Sequence, residues 1–215
     1  MLSASETLRI RFSALALALA GLFFVLYPAL RPFSDEASLN GAAAFASSDW
    51  LAAHMLATVA FLFVALGLHG VYSTVRGSAQ DALGYWAFAL GMIGVGFTLP
   101  FYGGEAFGLH AIGQEAIRQQ SAALMGLAAV VRSGPGLIMF LVGLVLLAAA
   151  AVAVASVLWR SGKYPRWSGV PFAIGFALYI PQFFGTQALR VAHGTLVAIG
   201  CLWIAAALWA QGKNR

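Results

Sequence analysis

The chain has 215 residues, of which 61% are hydrophobic and 9% charged, with a mean hydropathy of +0.87. A soluble domain averages about 45–50% apolar and about 25% charged residues. No soluble domain of this length has enough interior for so much apolar surface, so the bilayer is the expected solvent. The net charge of +5 does not point to nucleic acid, because the basic residues stand singly or in small groups with no stripe to follow a phosphate backbone.

Apolar runs of about 17–25 residues read as membrane-spanning helices, and six are expected in one domain over residues 1–215. The first covers residues 12–30. It resembles a signal peptide, with a short basic start before an apolar stretch. The stretch is longer than a usual signal core and no small-x-small site follows it, so it reads as an uncleaved span. The second and third cover residues 49–72 and 83–102. Gly91, Gly94 and Gly96 in the third, with Gly104 and Gly108 just after it, read as sites of close helix approach.

Between the third and fourth spans lies a long connection, residues 103–134. Its stretch 121–131 is apolar but too short to cross, so an interfacial or re-entrant helix over the outer face is expected. The run Ser133-Gly134-Pro135-Gly136 breaks that helix and opens the fourth span, residues 135–158. The fifth span, residues 168–184, is close to the lower length limit. The sixth covers residues 188–210 and contains the single Cys201, which cannot form an intramolecular disulfide and reads as packing. Trp50, Trp159, Trp167 and Trp209 fall near span ends, as interface anchors do.

Orientation follows from Lys and Arg in the connections. Eight (Arg9, Arg11, Arg76, Arg160, Lys163, Arg166, Lys213, Arg215) fall on one side and four (Arg31, Arg118, Arg132, Arg190) on the other. Both termini are therefore expected on the cytoplasmic side of the cell membrane. Five of the seven acids, among them Glu36, Glu105 and Glu115, then lie outside.

Ionisable residues at membrane depth are costly and point to function by default. His54 and His193 each lie about five residues, or roughly 8 Å by helical rise, below the outer end of their spans. His110 follows the third span on the same side, while His69 stands near the inner face. Around the outer three are Tyr102, Glu105, Gln182, Gln187 and Arg190, and Thr58 lies one turn deeper than His54. Imidazoles with one carboxylate suit a transition metal such as zinc, held by His54, His110, His193 and Glu105. The other cofactor these residues suggest is a b-type haem between His54 and His193. Neither has a spacing motif: there is no His-Glu-x-x-His and no His pair at i, i+4. Structural readings compete, since a His near a span end is usually hydrogen-bonded in place, and Glu105 and Arg190 suit headgroup contact or mutual pairing.

Missing features narrow the field. No span carries a lysine for a retinal Schiff base, no acid lies at mid-depth for ion coupling, and no P-loop or CxxC is present. The stretches 101–110 and 187–193 look motif-like without implying a chemistry. The expected function is therefore a His-based outer site with metal or haem. The alternatives are an accessory subunit of a larger membrane complex and a binding or transport protein for an apolar small molecule.

Overall fold

The computed structural model describes residues 4–212, and these form helices without a strand. Lys213 and Arg215 of the charge count lie outside them. Five helices among the described residues are long and apolar enough to cross a membrane: Ala4–Leu30, Ser48–Val75, Asp81–Gln119, Gly134–Ser161 and Gln187–Gln211. Their outward faces carry apolar side chains such as Leu22, Leu62, Ile93, Val145, Val152 and Leu202. A soluble monomer does not leave such a surface to water, and the architecture is compatible with a helical membrane protein.

Local chemistry sets the helix ends. Helix α1 is Ala4–Leu30 and the short α2 is Leu39–Phe45. Helix α3, Ser48–Val75, starts at Ser47, whose side chain accepts the Trp50 amide, a standard N-cap bond. Helix α4, Asp81–Gly103, runs without interruption through a π turn, Gly104–Gly108, into α5, Leu109–Gln119. The resulting 39-residue helix is roughly 58 Å long, about twice a hydrocarbon core. Its second half extends past the bundle. The chain then turns at Gln120, which has φ +51°, and folds back as a 3-10 turn, Ala122–Gly126, and α6, Leu127–Val131. The expected single helix over residues 121–131 is thus two short pieces. Together with α2 and α5 they surround a small core of Phe45, Trp50, Leu109, Ala116 and Met125, which caps one end of the molecule.

Helix α7, Gly134–Ser161, has Pro135 in its first turn and ends at Gly162, whose φ of +66° is the left-handed conformation that glycine reaches without strain. The region expected as a fifth span is not one helix. Pro165, Pro171 and Pro181 divide it into a 3-10 turn, Arg166–Gly169, helix α8, Val170–Ala177, and a second 3-10 turn, Pro181–Phe184. It still runs from one end of the bundle to the other. Lys163 at its start donates to the Thr74 carbonyl at the close of α3. Gln187 after it donates to Pro28 near the end of α1. Helix α9, Gln187–Gln211, begins at Thr186, which accepts the Leu189 amide.

Packing neighbours close a ring. Helix α1 lies between α3 and α9, α4 between α3 and α7, and α8 between α7 and α9. The ring encloses a core of large side chains including Phe24, Phe61, Phe140, Phe172, Phe176 and Tyr179. Close approach depends on small residues, as in membrane bundles. A Cβ on Gly194 would stand 2.2 Å from the Phe24 carbonyl oxygen, and one on Gly94 would stand 2.9 Å from the Gly143 carbonyl oxygen. Arg9, Arg11, Arg76, Arg160 and Arg166 belong to the end of the bundle away from the cap, where Arg11 donates to the Gly212 carbonyl.

Candidate functional site

The functional candidates gather where the cap meets the ring. The π turn brings Glu105 there. Pro100 cannot donate an amide, and Gly103, Gly104 and Gly108 hold the helix weakly, so this is where an extra residue can be accommodated. The Leu109 amide bonds the Gly104 carbonyl instead of Glu105, and the Trp50 indole N–H donates to the Glu105 carbonyl at 2.7 Å. The Glu105 side chain then turns inward, with 8% of the residue exposed.

His54 meets it there and is fully buried. Its Nδ1 lies 2.8 Å from the Trp50 carbonyl and so carries the proton. Its Nε2 has no hydrogen-bond partner and points at a Glu105 oxygen 3.6 Å away. Of the four expected ligands, these two are the ones that lie side by side.

Glu105 does not pair with Arg190. Arg132 takes it in a fork, Nε to Oε1 at 2.5 Å and Nη2 to Oε2 at 2.9 Å. Arg132 also reaches Glu36 through Nη1 at 2.5 Å, and Arg31 donates to the other Glu36 oxygen at 2.7 Å. The result is a chain of alternating charge, Arg31–Glu36–Arg132–Glu105, that ties the 31–38 loop, the end of α6 and the π turn together. Burial pushes the Glu36 carboxyl up, but Arg132 and Arg31 outweigh it and hold it below its ordinary range. Arg132 is correspondingly held above its ordinary value by the two carboxylates, against the effect of burial.

The other expected ligands are elsewhere. His110 Nδ1 lies 2.8 Å from the Phe45 carbonyl and fastens α5 to α2. His193 Nε2 lies 2.7 Å from the Gly175 carbonyl. That carbonyl is free because the helix breaks after Ala177 and the Tyr179 amide bonds Phe176 instead. Tyrosines connect His193 to His54: the ring of His54 touches Tyr27 and Tyr102, that of His193 touches Tyr179, and the hydroxyls of Tyr102 and Tyr179 are 3.1 Å apart. Among the described residues no group of three His, Cys, Asp or Glu lies close enough to hold a metal ion. A bis-histidine haem would need His193 Nε2, which the Gly175 carbonyl already engages. The expected metal or haem set of His54, His110, His193 and Glu105 therefore comes together only as His54 and Glu105.

The supporting residues also hold main chain. Thr58 donates to the His54 carbonyl at 2.9 Å, Gln187 donates to the Pro28 carbonyl at 3.3 Å, and Gln182 is buried. Arg190 donates to the carbonyls of Phe183 and Gly185, at 2.6 and 3.2 Å, where the second 3-10 turn ends.

Beside the charge chain opens a cavity of about 650 Å³. Its rim is polar, formed by Arg31, Glu36, Glu105, Arg132 and Arg190, with Tyr27 and Tyr102 beneath. Its wall is apolar, from Phe101 on α4, Leu137, Phe140 and Leu141 on α7, and Ile180 and Phe183 on the broken segment. Phe184, also in the wall, is 89% exposed, so the cavity reaches the outer side face between α7 and the segment ending at Phe184. The sequence did not single out Arg31, Glu36 or Arg132 as site residues, and the binding alternative implied an apolar pocket opening sideways between helices without naming its lining. Four arginines and five acids expected on one side of an otherwise apolar chain were the available signal for the ion pairs. Comparison with protein-family models, with curated proteins and with solved structures finds no match to this chain.

Proposed function

We propose that the protein binds an amphipathic small molecule taken from the outer leaflet of the cell membrane. In this reading the five long helices and the broken segment 166–184 make six crossings, with both termini cytoplasmic and the cap outside. The basic residues at the end away from the cap support that orientation. The cavity carries the functional reading. It has a charged rim at one end, an apolar wall below it, and an opening toward the lateral face. Pockets of about 300–1,000 Å³ lined by apolar and aromatic groups with a few polar ones are the usual form of small-molecule sites. Its volume of about 650 Å³ falls inside that range and suits a single-chain amphipath.

The site combines two environments. Aromatic side chains offer an apolar molecule a wall continuous with the lipid tails, and the rim meets a headgroup at the level where water begins. The histidines then serve the scaffold: His54 backs Glu105, His193 closes a helix break, and His110 anchors the cap. The test uses the purified full chain in nanodiscs of zwitterionic lipid, with a fluorescent 16-carbon alkyl probe. The expected result is saturable binding at one probe per chain, lost in Leu137→Trp, which fills the cavity. A signal that never saturates, or one that Leu137→Trp leaves intact, overturns the reading.

A further inference from the structure

We infer that the occupant of this cavity is a monoanion, a single hydrocarbon chain bearing one oxyanion, and that Arg190 holds its head. The inference rests on the reading of the cavity as an amphipath site and specifies the charge. Along the rim Arg31, Glu36, Arg132 and Glu105 alternate, so that two cations meet two anions and the chain is neutral. Arg190 stands outside it. Among the described residues no carboxylate lies within ion-pair distance of Arg190, and its hydrogen bonds go to two main-chain carbonyls through Nε and Nη2.

A lone arginine near a membrane surface ordinarily extends toward water. Arg190 instead lies over the rings of Phe33 and Phe183, 5.3 and 5.9 Å from their centres, and lines the cavity. Arg31 lies over the same Phe33 ring at 4.7 Å, with 8% of its side chain exposed. Two guanidiniums therefore converge on one aromatic ring, and only one of them has a carboxylate. Like charges brought together at the mouth of an apolar cavity repel, and an uncompensated charge there is costly. One negative charge between them removes both costs. A guanidinium edge suits a carboxylate or a phosphodiester equally, since either offers two oxygens to parallel N–H groups. The net count of the rim, three arginines and two glutamates, calls for one such charge.

The experiment compares oleic acid, oleyl alcohol and oleoyl lysophosphatidylglycerol as competitors of the alkyl probe at pH 8, in zwitterionic nanodiscs. Oleate is expected to bind about tenfold more tightly than the alcohol, the scale of one charge-assisted hydrogen bond. Arg190→Gln is expected to shrink that preference below about threefold, read as the ratio of acid to alcohol affinity within the same variant. Sodium acetate and inorganic phosphate separate a lipid head from a free anion. Competition only by the chain-bearing anions supports the proposal, and displacement of oleate by acetate or phosphate at comparable concentration overturns it. If the lysolipid outcompetes oleate, the head is a phosphodiester; if oleate wins, it is a carboxylate, and either result keeps the monoanion. Equal binding of acid and alcohol, or an acid preference that survives Arg190→Gln, overturns the charge assignment. In that case binding still abolished by Leu137→Trp leaves the cavity reading standing. The absence of saturable binding by any of the three removes the cavity reading itself.

Discussion

Arg132→Met tests whether the charge chain fastens the cap to the ring. The arginine makes two bonds to Glu105 and one to Glu36. Removing it leaves Glu105 nearly buried, with His54 Nε2 at 3.6 Å as its remaining polar neighbour in the core. Breaking a buried ion pair from one side costs about 3–5 kcal/mol. Arg132 keeps 26% of its side chain exposed, so water reaches part of the site and the expected cost falls to about 2–3 kcal/mol. Adding Glu105→Gln to that variant removes the stranded charge and is expected to restore roughly 1 kcal/mol or more. With Glu105→Gln alone expected to cost about 0.5–1 kcal/mol for the weakened Arg132 contact, the two substitutions should be coupled by about 1.5–2 kcal/mol in a double-mutant cycle. Reversible unfolding in mixed micelles measures the energies, and hydrogen exchange over residues 104–131 locates the loss. A cost for Arg132→Met below about 0.5 kcal/mol, or costs that simply add, would refute the latch.

Three further outcomes are expected. Gly194→Ala places a methyl 2.2 Å from the Phe24 carbonyl oxygen, so it should cost about 2–3 kcal/mol or abolish folded protein. Gly96→Ala meets open space and should be neutral to stabilising by up to about 1 kcal/mol; thermal unfolding of the pair compares them. Because the Glu36 carboxyl titrates lower in the folded chain than its ordinary 4.5, its contribution is fully present above that pH and is lost as the pH falls through the lower folded value. Protection of the 33–38 amides should therefore fall on acidification below 4.5; Glu36→Gln should reduce that dependence, and the remainder belongs to Asp35, whose carboxylate accepts the Ala37 and Ser38 amides and is held below its ordinary range by them. Asn40 is exposed at the start of α2 and Cys201 is fully buried, so Asn40→Cys should label with an impermeant maleimide from outside intact cells; labelling only after lysis would reverse the proposed orientation.

Much of the helical framework is legible in the chain because an apolar run near 20 residues has few other uses. The exceptions have local causes. Residues 81–119 read as a span followed by a long connection, since the apolar pattern gives way to Gln114, Glu115 and Arg118. The helix instead continues with its phase shifted by the π turn. A change of composition marks where a helix enters different surroundings, and that need not be where it ends. Residues 168–184 misled in the opposite direction. Their apolar character is continuous, but Pro171 and Pro181 prevent a continuous hydrogen-bond ladder, and the chain traverses the bundle in pieces.

Within the candidate site, contacts set by depth on straight helices were legible and those that depend on the chain folding back were not. His54 and Glu105 sit at matching depth on neighbouring helices, and depth follows from counting residues. Arg132 reaches Glu105 only because residues 121–131 fold back along α5, a course set by the left-handed Gln120 turn and by Met125 and Ala128 packing on the cap core. The helix geometry of the third span alone contains no trace of that return. Main chain supplied partners that side-chain patterns do not display. His193 and Arg190 looked like free polar groups awaiting a ligand or each other's neighbours. The broken segment, however, leaves the carbonyls of Gly175, Phe183 and Gly185 needing donors. A buried carbonyl without a donor is costly, so each helix break draws the nearest polar side chain to itself. His193 satisfies this demand with one ring nitrogen and joins no cluster. Arg190 has more N–H groups than the two carbonyls take and also lines the cavity, and that surplus separates a group with a purely structural role from one still able, in the proposed reading, to hold a ligand.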